Sequence, residues 1–111
     1  MPHCIIEHST EIDGNLLVPL VHRGALTSNL FDPEGSDIKV RAIAYSHYQT
    51  GAVDINFIHV TLKILSGRDV EQKSKLTQLV LAQLKALSIK DCSISVEVDD
   101  IDRESYAKVV V

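Results

Sequence analysis

Apolar positions along the chain follow two rhythms, one of period two and one near 3.6, and their order predicts the elements. In "PHCIIEH" (2–8) the alternation is weak but β-branched residues suit a strand, and "STEIDGN" (9–15) is turn material. "NLLVPLVHRGALTSNLF" (15–31) sets Leu17, Leu20, Val21 and Ala25 at helical spacing. A cap at Asn15 or a nearby residue would place Pro19 in the first turn, where no amide donor is needed, and Gly24 weakens the helix further along.

"FDPEGSD" (31–37) reads as a loop and "IKVRAIAYSH" (38–47) as the second strand, with Ile38, Val40, Ala42 and Ala44 on one face and Lys39, Arg41, Ile43 and Tyr45 on the other. After "YQTGAVD" (48–54), the run "INFIHVTLKIL" (55–65) alternates Asn56, Ile58, Val60, Leu62 and Ile64 against Phe57, His59, Thr61 and Lys63. "SGRDVEQKSKLTQLVLAQLKALS" (66–88) is the clearest helix. Leu76, Leu79, Val80, Leu84 and Leu87 form its apolar stripe, and Glu71 and Lys75 are spaced for an ion pair. Ser66 with Asp69 resembles the start of a cap. "CSISVEVDD" (92–100) is a last strand, and "IDRESYAKVVV" (101–111) fits either a short edge strand or a segment held by a partner.

The order predicts an α+β fold, two βαβ units forming a four-stranded mixed sheet with two helices on one face. The other face would carry Arg41, Ile43, Tyr45, Phe57, His59 and Lys63. That mixture is too apolar to be simply solvated and too polar for a dry core, so a homo-oligomer is expected.

Composition narrows the function. At 111 residues the chain is expected to be one domain, 1–111, and 45% hydrophobic with 23% charged residues is ordinary for a globular protein. A net charge of -4 with scattered basic residues argues against nucleic acid or an acidic membrane surface as partner, so an anionic ligand needs a local basic site. No apolar run approaches the roughly 20 residues that span a bilayer, and no secretion signal is visible, which predicts a soluble, cytoplasmic protein. Cys4 and Cys92 are then expected as reduced thiols. The five histidines lack tight metal-ligand spacing and there is no Gly-rich phosphate loop.

Four residues carry candidate chemistry. Pro2 follows the initiator methionine, which cells commonly remove ahead of a small residue or proline, and a terminal proline nitrogen is a secondary amine that can act as a base. The competing reading is a proline that merely starts a strand. Lys39 and Arg41, neighbours on one strand face, could bind a carboxylate or form a solvated face. Arg68, at the start of the strong helix, could bind an anion with help from the helix N-terminus or could tie down a loop.

Pro2, the duplicated βαβ halves and the stretch "FIHVTLKILSGRDVEQK" together resemble the tautomerase superfamily, and most specifically its 5-carboxymethyl-2-hydroxymuconate delta-isomerase family. The resemblance covers nearly the whole chain and is strongest from Ile38 to Lys75. It implies a tautomerase-like homotrimer that uses the N-terminal proline as general base for a 1,3-proton shift on a small anionic carboxylate substrate, without cofactor or metal. It also implies a place in aromatic compound catabolism. The implied catalytic residue is Pro2, and the implied substrate-binding residues are Lys39, Arg41 and Arg68.

An α-amino group has a reference pKa of about 8, and nearby cations with an apolar wall disfavour its protonated form. Lowering it by one or two units takes about 1.4–2.7 kcal/mol and leaves free amine near neutral pH. The family commonly has arginine where Lys39 stands; lysine supplies a point charge instead of a bidentate fork. Two alternatives remain at this stage, a ferredoxin-like module that binds a small regulatory ligand and a tautomerase-fold trimer without activity.

Overall fold

The computed structural model describes residues 1–111, in the order β1 (His3–Ser9), α1 (Gly14–Thr27), β2 (Lys39–Tyr45), β3 (Asn56–Leu65), α2 (Val70–Lys85) and β4 (Cys92–Ile101). β1 pairs in parallel with β2 and β3 in parallel with β4, while β1 and β3 run antiparallel at the centre. The sheet order is β2-β1-β3-β4. Each half is the βαβ unit that the pattern predicts, and joining the halves through their first strands makes the sheet mixed.

Strand alternation and helical spacing meet in one core. Cys4 and Ile6 of β1 and Ile58, Val60, Leu62 and Ile64 of β3 point to the helical side, where they pack on Leu17, Val21 and Ala25 of α1 and Leu76, Val80 and Leu84 of α2. Each of these large side chains removes about 1.5–3 kcal/mol worth of apolar surface from water.

The helix ends differ from the expectation. Asp13, not Asn15, caps α1, its carboxylate accepting from Asn15 N at 2.9 Å. Pro19 is therefore the sixth helical residue, beyond the first turn, where it removes a donor to the Asn15 carbonyl; it sits on the exposed side. Gly24 has a packing reason. It is buried where α1 crosses α2, and a Cβ there would lie 2.7 Å from Val80 Cα and 3.1 Å from the Leu79 carbonyl oxygen.

In α2 the cap is Asp69 alone, which accepts from Gln72 N at 2.8 Å while Gln72 Oε1 accepts from Asp69 N at 3.0 Å. This is a reciprocal capping box with Gln72 as its third helical residue. Ser66 lies outside it and instead meets Arg103. The expected Glu71–Lys75 pair does not form; Lys73 bonds Asp100 of β4 at 2.7 Å and ties α2 to the sheet edge. Leu87 lies past the helix end at Lys85 but still packs on the core.

The face away from the helices has a readable register. His3 lies between Lys39 and Lys63, Ile5 between Arg41 and Thr61, and Glu7 between Ile43 and His59. On the far side Lys63 pairs with Asp99, Thr61 with Glu97 and His59 with Ser95. The free β2 edge is thus basic and the free β4 edge acidic. Ile43, on the β2 edge, is 47% exposed.

Candidate active site

The site is built where β1 and β2 start and β3 and β4 end. Pro2 precedes β1, is fully buried, and its carbonyl accepts from Lys39 N at 3.1 Å. Proline suits this position because it has no amide hydrogen to leave unpaired and its φ is fixed. The parallel register His3 to Lys39, continued back two residues, sets Met1 opposite Asp37, and the Met1 ammonium ion-pairs with Asp37 Oδ2. While Met1 is attached the Pro2 nitrogen is an amide and not a base.

Asp37 was not visible as a site residue in the sequence, where it is one more acid in a polar loop. Its Oδ1 is buried without a hydrogen-bond partner. Burial pushes its carboxyl pKa up, but the hydrogen bond and charge of the terminal ammonium outweigh this and hold it below the usual carboxylate value.

A cleft of about 180 Å³ opens beside Met1. Leu30, Phe31, Ile64 and Leu65 make its apolar wall, and Asp37, Arg68 and Arg103 supply its charge. Arg68 precedes the α2 cap, and its Nη2 donates to the Leu30 carbonyl at 2.6 Å, which holds the guanidinium at the cleft. Arg103, which sequence reasoning missed, follows β4; its Nε donates to the Ser66 carbonyl at 3.0 Å. The available signal was the parallel pairing of β3 with β4, which brings the residues after both strands to one place.

Lys39 and Arg41 share a sheet face as predicted, but neither lines this cleft. Lys39 Nζ donates to the Asp37 carbonyl at 3.1 Å, and Arg41 Nη1 lies 3.3 Å from His3 Nδ1. Arginine has no acceptor, so His3 Nδ1 accepts and Nε2 carries the hydrogen, which it donates to the Tyr106 hydroxyl at 3.0 Å. Tyr106 in turn donates to Met1 Sδ. Burial first, then the charges of Arg41, Lys39, the chain terminus and Lys108, lower the His3 pKa and favour the neutral ring. Residues 101–111 are thus an extension of β4 through Ile101 followed by an irregular tail docked on the N-terminus.

A larger concavity, about 430 Å³, lies at the other end of the sheet around Tyr48, Thr50, Ile55, Phe57 and Ser93. No charged side chain lines it. No group of three or more His, Cys, Asp or Glu side chains is arranged to hold a metal ion, and no helix is long and apolar enough to cross a membrane. Both cysteines are free, Cys4 in the core and Cys92 at the start of β4.

Paired βαβ units around a central antiparallel strand pair, with a proline-led strand at a cationic cleft, define a tautomerase-like fold. Many solved structures share the fold, among them the following three. A 5-carboxymethyl-2-hydroxymuconate delta-isomerase aligns at 18% identity and TM-score 0.76 over 99% of this chain and 89% of its own. A 5-carboxymethyl-2-hydroxymuconate isomerase from Deinococcus radiodurans R1 aligns at 20% identity and TM-score 0.74, covering 97% of this chain and 88% of its own. A symmetric trimer of fused 4-OT aligns at 17% identity and TM-score 0.67, covering 90% and 85%. No curated protein matches in sequence. The profile of the 5-carboxymethyl-2-hydroxymuconate isomerase family matches residues 2–109, and the chain belongs to that family. It is an isomerase, which sets aside the ferredoxin-like regulatory module.

Proposed function

We propose that residues 1–111 act as one domain that catalyses a 1,3-proton shift on a 2-hydroxymuconate-type enol acid, with 5-carboxymethyl-2-hydroxymuconate as the foremost candidate substrate. Pro2 is the base once Met1 is removed. From the unconjugated keto form of that acid its nitrogen takes a proton at the carbon next to the carbonyl, leaving a dienolate, and returns it two carbons further along to give the conjugated ketone. No cofactor or metal is needed for that exchange. Arg68 and Arg103 bind carboxylate and developing enolate charge, and Lys39 and Arg41 add positive potential at the same end of the sheet.

The observation that carries this reading is the position of Met1 in a cationic cleft with an apolar wall, directly ahead of Pro2. Small-molecule sites usually enclose about 300–1,000 Å³. At about 180 Å³ the cleft is undersized while Met1 occupies it, and removal of Met1 both enlarges the cleft and frees the amine.

A homotrimer accords with the open sheet face. The β2 edge offers Lys39 and Arg41, the β4 edge offers Glu97 and Asp99, and head-to-tail pairing of such edges closes a ring in which every copy is equivalent. The fused 4-OT structure is a symmetric trimer of the same fold. A cytoplasmic role in aromatic compound catabolism accords with the free thiols and this substrate class.

Intact mass reports whether Met1 is present, and ultraviolet assays with 2-hydroxymuconate-type enols report the shift to a conjugated ketone. Processed protein should act far faster than Pro2→Ala and than a form carrying an extra residue ahead of Pro2. Equal, slow rates for all three would remove Pro2 as the base.

A further inference from the structure

With Met1 attached, the Asp37 carboxylate grips the chain-terminal ammonium through Oδ2, and its Oδ1 is buried without a donor. Bond geometry places the Pro2 nitrogen about 3–4 Å along the chain from the Met1 nitrogen. Pro2 cannot retreat from this carboxylate, because its carbonyl is bonded to the amide of Lys39, two residues after Asp37. A protonated terminal proline has two N–H donors, which match one paired and one vacant carboxylate oxygen.

We infer that Asp37 is a positioning residue for the amine of Pro2: once Met1 is gone its carboxylate accepts the Pro2 N–H, which fixes where the lone pair points and strengthens the hold of that nitrogen on a proton. The inference deepens the proposed function and rests on it for its catalytic meaning. It also alters the electrostatic account drawn from the sequence, which placed cations alone around the base.

The other charged groups around Asp37 come from every neighbouring element. Asp32 donates its backbone N to Oδ2 at 3.5 Å, while its own carboxylate is occupied by Ser36 and the Glu34 amide. Lys39 Nζ is bonded to the Asp37 carbonyl, Arg68 and Arg103 line the same cleft, and His3 with Tyr106 lies behind Met1. The cations favour the free amine and Asp37 favours the protonated one. Their opposition holds the nitrogen closer to the ordinary amine range than cations alone would, and aims the proton at a fixed acceptor.

The test is a pH titration of the terminal nitrogen itself by nitrogen-15 NMR, on protein labelled with [15N]proline whose intact mass shows Met1 removed. Asp37→Asn should lower the midpoint by about one pH unit or more, as loss of an adjacent opposite charge requires. Asp37→Glu, which keeps the carboxylate, should stay near the parent value, and Asp37→Ser serves as a second neutral variant should Asp37→Asn fold poorly. An unchanged midpoint in a folded neutral variant, or an equal drop in Asp37→Glu, overturns the inference. The titration needs no substrate, so it stands apart from the Pro2→Ala assay: failure of either leaves the other readable.

Discussion

Tyr106 and His3, 103 residues apart in sequence, meet through a hydrogen bond of 3.0 Å between the tyrosine hydroxyl and His3 Nε2. Through it the last irregular segment of the chain closes over the first strand and reaches Met1. The C-terminal tail is therefore part of the wall around the N-terminus. The contact between this histidine and Arg41 depends on a neutral ring, since Arg41 donates to the other ring nitrogen.

Stability should accordingly depend on pH. The folded-state pKa of His3 lies below the ordinary 6.5, so between that lowered value and 6.5 the unfolded chain binds more protons than the folded one. Stability should fall as pH drops through this window and be insensitive to His3 above it. Urea midpoints between pH 5 and pH 8 should show this slope, and His3→Gln should flatten it.

Gly24→Ala should destabilise the fold although alanine is the better helix former. The added methyl would lie 2.7 Å from Val80 Cα, a backbone atom that moves only if the helices part. Overpacking of this kind costs about 1–3 kcal/mol. A Gly24→Ala protein as stable as the parent in denaturant would show that the α1–α2 crossing is looser than described.

The two thiols should react differently. Burial pushes the Cys4 pKa up to about 12 and raises that of Cys92 as well, but Cys4 is closed in the core whereas Cys92 is partly open. A disulfide reagent at pH 8 should modify Cys92 slowly in the native protein and Cys4 only on unfolding. Rapid native labelling of both would contradict the packing of β1.

Arg68→Ala and Arg103→Ala should each weaken turnover of a muconate-type acid, raising KM more than they lower kcat. Loss of one charge-assisted hydrogen bond is worth about 1.5–3 kcal/mol, or roughly ten- to a hundredfold in kcat/KM. Initial rates across substrate concentration separate the two constants. Arg41→Ala, whose side chain lies outside the cleft, should have the smaller effect.

Much of the architecture was legible because periodicity is a direct imprint of burial. The alternation in β3 and the stripe Leu76, Val80 and Leu84 in α2 mark the core faces observed. Pro19 and Gly24 misled because tertiary packing overrides local preference, the first by a cap two residues earlier than expected, the second by a helix crossing that needs a missing side chain. Of the site, Pro2 and Arg68 carried a signal. Asp37, Arg103 and Tyr106 did not, because each is irregular backbone brought in by strand pairing far away in sequence, and loop acids, tail arginines and lone tyrosines have no pattern of their own.

The doubled βαβ plan bears on stoichiometry. It presents two equivalent strand starts at opposite ends of the sheet, Pro2 ahead of β1 and Ile55 ahead of β3. The first can carry a chain terminus; at the second the backbone runs on, and the Ile55 amide is committed to the Thr50 hydroxyl at 3.3 Å. The plan is repeated but a terminus cannot be, so each polypeptide carries one terminal amine, and a ring of three would titrate with three equivalents of an inhibitor directed at that amine rather than six.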